Sequence, residues 1–183
     1  MNKYAIRMHQ LFSTEERIKI LANILYKEGE MGITEVAREV GVSKGLVSSF
    51  FRILARERIL SKRKRRFMVN DNARVKALKI LFNLYKFDEN LFRKFDFVRG
   101  AGLYGSLVKG ENSIDSDIDM WILIDKASEE ELARLSRKLK ERYGKVRPLY
   151  LTKRKLRLLK EKDEVFYHAL AFGSIPIYGE RIE

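Results

Sequence analysis

The sequence predicts an α+β chain in two domains, with helices and a short β-hairpin in the first and a β-sheet with packed helices in the second. Two patterns predict this. Up to about residue 87, apolar side chains recur at three- and four-residue spacing, the period of a half-buried helix. Further on they alternate, most clearly at Ile118, Met120, Ile122 and Ile124, the period of a strand with one face covered. A length of 183 residues accommodates two small domains, 1–87 and 88–183.

Composition narrows the function classes. The chain has no cysteine, which excludes disulfides, thiolate zinc sites and a cysteine nucleophile. No apolar run is long enough to span a membrane, and residues 1–10 lack the apolar core of a signal peptide, so the expected location is the cytoplasm, with no membrane partner. The net charge of +13 predicts a polyanionic partner. Residues 1–90 hold 19 basic and 10 acidic side chains, and 91–183 hold 19 and 15, so the first half is the expected nucleic-acid binder.

In that half, Ser13 and Glu16 predict a capping box ahead of Ile18, Leu21, Ala22 and Leu25, with Gly29 and Gly32 ending the helix. Val36, Ala37 and Val40 share one face of a short helix, and Gly41 permits a tight turn. Ser43 then caps a helix whose inner side is Leu46, Val47, Phe50 and Leu54. The run Ile33–Phe50 resembles the helix-turn-helix of winged-helix regulators. That resemblance implies a second helix lying in the major groove of double-stranded DNA, with Lys44, Ser48, Ser49 and Arg52 facing the bases. A wing is expected next, with Ile59 and Leu60 on one strand and Phe67, Met68 and Val69 on the return. Its tip is Lys62, Arg63, Lys64, Arg65 and Arg66. Five consecutive cations repel one another but would release counterions from a phosphate backbone, which positions a protein without specifying sequence. A further helix carries Val75, Leu78, Leu81, Phe82 and Tyr85, an apolar face suited either to packing on the first domain or to a homodimer contact. A short helix, Asp88 to Phe95, leads into the second domain.

The second half opens with a strand from Val98 to Tyr104, where Gly100 and Gly102 allow close approach. A Gly105-Ser106 turn follows, separated by ten residues from Asp117, with Asp119 two places beyond. In a strand these two carboxylates share a face, roughly 7 Å apart along the chain. Unpaired they repel; a hard divalent cation between them, completed by substrate phosphates, makes them favourable. Backbone N–H groups and a hydroxyl at a Gly-Ser turn suit phosphate oxygens. Ser128 and Glu131 form a second capping box over a stripe of Leu132, Leu135 and Leu139, and Gly144 ends that helix. A third strand, Val146–Leu151, is followed by helices around Leu156 and Leu159 and around Val165, Phe166, Ala169, Leu170 and Phe172. Ile175–Tyr178 closes the domain. The cations at 153–157 read as a solvated helix face, and His9 and His168 as surface or packing residues. Trp121 shares the face of Asp119; core packing is its first reading and a base pocket its second.

The Gly-Ser pair, the loop, the run Asp115–Asp119 and Gly110 together resemble the minimal nucleotidyltransferases of the DNA polymerase beta superfamily, over residues 88–183. The resemblance implies a mixed β-sheet with packed helices. It further implies a nucleoside triphosphate held by Gly105, Ser106 and Lys109, the last standing where an arginine is common. Asp117 and Asp119 would act as catalytic ligands of Mg²⁺ or Mn²⁺, for transfer of a nucleoside monophosphate to a hydroxyl. The family's usual third carboxylate would sit on the third strand, which here reads Val-Arg-Pro-Leu-Tyr-Leu and contains no acid. Binding is expected to survive that departure, while turnover becomes the open question. The second expectation is therefore a non-enzymatic regulator whose transferase-like domain only binds nucleotide or serves as a dimer scaffold.

Overall fold

A computed structural model describes residues 3–183, with side chains from Met8 onward. The chain divides into two compact units between Lys79 and Ile80. In the first, helices α1 (Lys3–Phe12), α2 (Glu15–Ile24), α3 (Ile33–Val40) and α4 (Lys44–Arg56) precede an antiparallel hairpin of β1 (Leu60–Arg63) and β2 (Arg66–Val69). Its buried side chains include Ile20, Leu21 and Ile24 from α2, Leu25 just after it, Val36 from α3, and Val47, Phe50, Phe51 and Leu54 from α4. Phe51 meets Phe67 of the hairpin edge-on, 4.9 Å between ring centroids. Met31 exchanges two backbone hydrogen bonds with Phe67, adding a one-residue bridge beside the hairpin.

Local chemistry explains most of these boundaries. Gly41 takes the left-handed conformation (φ 74°) that closes the α3–α4 turn, and the Ser43 hydroxyl accepts from the Leu46 N–H at 3.2 Å. The capping residue of α2 is Thr14 rather than Ser13. Thr14 is extended and accepts from Arg17 N–H, while the Ser13 hydroxyl accepts from the Arg17 guanidinium at 2.8 Å. Helix α2 stops at Ile24, before either of the glycines expected to end it, and Gly32 instead opens α3.

Helix α5 (Ala73–Leu84) begins in the first unit, where Val75 and Leu78 are buried, and ends in the second. Asn83 is buried in the second unit. Its amide donates to the Leu107 carbonyl and to Asn112 Oδ1, both at 2.9 Å, and Asn112 returns a bond to Asn83 Oδ1 at 3.2 Å. Asn83→Leu would strip partners from a buried carbonyl and a buried amide, an expected loss of about 2–3 kcal/mol. Denaturant unfolding checks this. The double change with Asn112→Leu should recover much of the loss, and a single variant as stable as the parent contradicts the role assigned to the pair.

The second unit adds a 3₁₀ turn (Glu89–Lys94), β3 (Val98–Leu103), α6 (Ser106–Lys109), β4 (Ile118–Ile124), α7 (Glu129–Tyr143), β5 (Val146–Leu151), α8 (Lys153–Lys162), α9 (Glu164–Gly173) and β6 (Ile175–Gly179). The sheet is mixed, in the order β5-β4-β3-β6, with β4 and β5 parallel and the other pairs antiparallel. The alternation in β4 covers both faces. Met120, Ile122 and Ile124 pack with Phe92, Leu135 and Leu139, whereas Trp121 and Leu123 pack with Leu151, Tyr167 and Leu170. Ser128 and Glu131 form the expected capping box of α7. On α9, Val165 and Phe172 stay exposed despite their helical spacing. Among the described residues, no helix is long and apolar enough to cross a membrane.

Candidate functional site

Strands β3 and β4 bring the Gly-Ser turn against the acidic pair. Leu103 stands opposite Met120, and Tyr104 N–H donates to the Asp119 carbonyl at 3.1 Å, so pairing continues to the turn itself. Gly105 then adopts φ 72°, ψ −143°, a conformation open to glycine alone. A Cβ at this position would stand 2.6 Å from Asp119 Oδ2. Glycine is therefore required twice, for its backbone angles and for the approach of the turn to the carboxylate.

Ser106 starts α6, and Gly110 (φ 66°) ends it after Lys109, which is exposed. The loop to β4 is held at several points. Glu111 N–H donates to the Ser106 carbonyl at 3.0 Å, Asn112 pairs with Asn83, and Ser113 N–H donates to the Ser116 hydroxyl at 2.9 Å. At its end Ile118 N–H donates to the Lys145 carbonyl at 2.7 Å, fixing where β4 starts beside β5.

Asp117 and Asp119 flank Ile118, and both are half-buried. The parallel register of β4 and β5 places Arg147 directly beside Asp119, and the Arg147 guanidinium pairs with Asp117 Oδ2 at 2.6 Å. Sequence reasoning missed Arg147. Its signal was a cation on a strand where the family resemblance implied an acid, but the partner is visible only once the register is known. Trp121 is 1% exposed, lies over Gly102 and donates its indole N–H to Ser174 Oγ at 2.8 Å, so it belongs to the core.

The charges shape the titration of the site. Burial raises the Asp119 carboxyl above its ordinary value of 3.8; Arg147 opposes the shift and Asp117 adds to it. Burial likewise raises the Tyr104 phenol, with Asp119 adding and Arg147 opposing. For Asp119 the folded-state value lies above the unfolded one. Its contribution to stability is thus fully present below 3.8 and lost as pH rises through the raised value. Ionising the group in the folded protein is therefore a cost. Asp119→Asn is expected to melt at or above the parent's temperature at pH 7, with the advantage fading in acid. A lower melting temperature at pH 7 would contradict this account.

The donor set bears on metal binding. Among the described residues, no group of three or more acidic, histidine or cysteine side chains is gathered to hold a metal ion. A two-ion clamp does not fit these residues, because Arg147 fills the strand position beside Asp119. One divalent ion on two carboxylates, completed by phosphate oxygens, does fit.

On the first unit, Lys44 and Arg52 are exposed along α4. Ser48 and Ser49 are half-buried, and the Ser49 hydroxyl donates back to the Leu46 carbonyl at 2.9 Å. The strands extend into the expected tip. Lys62 and Arg63 lie on β1, Arg66 pairs with Arg63 from β2, and only Lys64 (φ 52°) and Arg65 form the turn. Lys62 to Arg66 are all exposed, and Arg66 is in addition tied to α3 and the loop before it, donating to the Glu30 carbonyl at 2.6 Å and to Glu35 at 3.2 Å.

A family model described as Polymerase beta, Nucleotidyltransferase matches residues 89–181, just over half of the chain and the span that carries the turn, the acidic pair and the mixed sheet. No curated protein matches the chain. By the extent of that match, and with Gly105 packed against Asp119 as described, the chain belongs to the polymerase beta nucleotidyltransferase family.

Proposed function

We propose that this protein is a metal-dependent nucleotidyltransferase whose transferase domain is joined to a DNA-binding winged helix. The observation that carries the proposal is the contact between the Gly105 turn and the Asp119 carboxylate, inside the span matched by the family. Backbone N–H groups and the Ser106 hydroxyl at that turn receive phosphate oxygens of a nucleoside triphosphate, and Lys109 contributes charge from the end of α6. Asp117 and Asp119 would hold one Mg²⁺ or Mn²⁺ ion, which when bound would supply positive charge against the phosphates. The hydroxyl oxygen of an acceptor attacks the α-phosphorus. The bond from that phosphorus to the bridging oxygen breaks, pyrophosphate leaves, and the acceptor's proton passes to water. The chain's own residues supply position: the turn fixes the phosphates, and the start of β4 presents the two carboxylates.

For the first unit, support comes from the order of helices and hairpin, the Gly41 turn, and the exposed cations of α4 and of the hairpin. Lys44 and Arg52, with Ser48 and Ser49, line the helix that enters a major groove, and Lys62 to Arg65 follow the adjacent phosphates.

One observation favours a second reading, in which the domain binds nucleotide without turning it over and the chain acts as a regulator. Arg147 lies where a third acid would complete the clamp. Incubating the full chain with each α-labelled nucleoside triphosphate and Mg²⁺, alone and with cellular extract, separates the two. Label joined covalently to a product supports transfer; bound nucleotide with no transferred label in any mixture supports the regulator.

A further inference from the structure

Arg147 does more than fill the place of an absent acid. A carboxylate beside Asp119 would add a ligand for a second cation. A guanidinium adds five N–H donors and a permanent positive charge, in a planar fork that matches phosphate. Its pairing with Asp117 is geometrically good at 2.6 Å, yet the Arg147 side chain is 71% exposed and that of Asp117 34%. Ion pairs this open to water are worth about 0–1 kcal/mol, so the guanidinium can leave its carboxylate cheaply for a more highly charged oxygen. The carboxylates also need relief. Two acids and one arginine leave the cluster with one net negative charge, which repels phosphate until a cation arrives. The Gly105 turn lies against Asp119, and Asp119 lies beside Arg147, so turn, acids and guanidinium form one continuous cluster.

We infer that Arg147 is a phosphate ligand of this site. It holds Asp117 in the absence of substrate, then passes to a phosphate of the incoming triphosphate, freeing Asp117 to join Asp119 on the one divalent ion that the triphosphate carries. The inference rests on the nucleotide-binding reading above and deepens it: the substrate is taken as a complex of triphosphate with a single metal ion, and the free ion is disfavoured.

The test uses the full chain labelled with ¹⁵N and reads the backbone amides of Gly105 and Ser106, so that binding elsewhere on a basic surface is not counted. Two probes are titrated separately, Mn²⁺ alone (followed by paramagnetic broadening) and inorganic triphosphate with Mg²⁺. In Arg147→Ala, Mn²⁺ should bind about tenfold more tightly, because the competing cation is gone, and Mg²⁺–triphosphate about tenfold more weakly, because its ligand is gone. Arg147→Lys should restore part of the triphosphate affinity, keeping the charge but not the fork. Weakening of both probes in Arg147→Ala would make Arg147 a residue that only shapes the site. Tightening of both, or an unchanged triphosphate affinity, would make it a counter-ion alone; either result overturns the inference. If Gly105 and Ser106 of the parent fail to respond to Mg²⁺–triphosphate at all, the nucleotide-binding reading itself falls, which is a different result from any of these.

Discussion

Alanine at Lys62, Arg63, Lys64 and Arg65 is expected to weaken binding to every DNA duplex alike and to flatten its salt dependence. These four side chains project from a short hairpin with a two-residue turn and are exposed. Such a concentration of charge is unfavourable in isolation and becomes favourable against a phosphate backbone, where each neutralised phosphate contributes about 0.9 to the slope of log K against log salt. Loss of three or four contacts should therefore lower that slope by about 3. Arg66 provides the internal control. It is already engaged by Glu30 and Glu35, so Arg66→Ala should disturb the anchoring of the hairpin more than the slope. Measuring affinity over a salt series for one specific and one random duplex checks both statements. An unchanged slope in the fourfold variant would remove the hairpin as a principal contact.

What the sequence made legible was local. The Gly41 turn, the Ser43 cap and the capping box of Ser128 and Glu131 each need only residues within one helical turn, and each stands where the spacing put it. The alternation of β4 was equally readable because its period is set by the strand itself. Thr14 displaced Ser13 as a cap because both residues have the needed chemistry and only the backbone angles choose between them. The Asn83–Asn112 pair joins residues 29 positions apart, and no local pattern marks either asparagine as buried. Arg147 reached Asp117 through the register of a parallel strand pair, a tertiary choice that the sequence of either strand leaves open. The exposure of Val165 and Phe172 shows the same limit, since helical spacing reports an apolar face but not what covers it.

The acidic pair carries the largest expected effect on the second unit. Asp119 lies on β4 and Asp117 immediately before it, with a guanidinium on Asp117 and the Gly105 turn against Asp119, and no third acid joins them among the described residues. With so few protein ligands, a hard cation depends on phosphate oxygens to complete its shell, so metal and nucleotide should bind together far better than either alone. Replacing both aspartates by asparagine keeps their shape and removes both charges. Metal-dependent nucleotide binding should fall to the limit of detection, a loss of about a hundredfold or more. Affinity for DNA should stay close to the parent's, because the basic hairpin and α4 lie in the other compact unit. Calorimetric titration with a nonhydrolysable nucleoside triphosphate, with and without Mg²⁺, measures this most directly. The account predicts heat of binding for the parent with Mg²⁺ and none for the double variant. Equal binding of the metal–nucleotide complex by both proteins would contradict it, reducing Asp117 and Asp119 to a polar strand end.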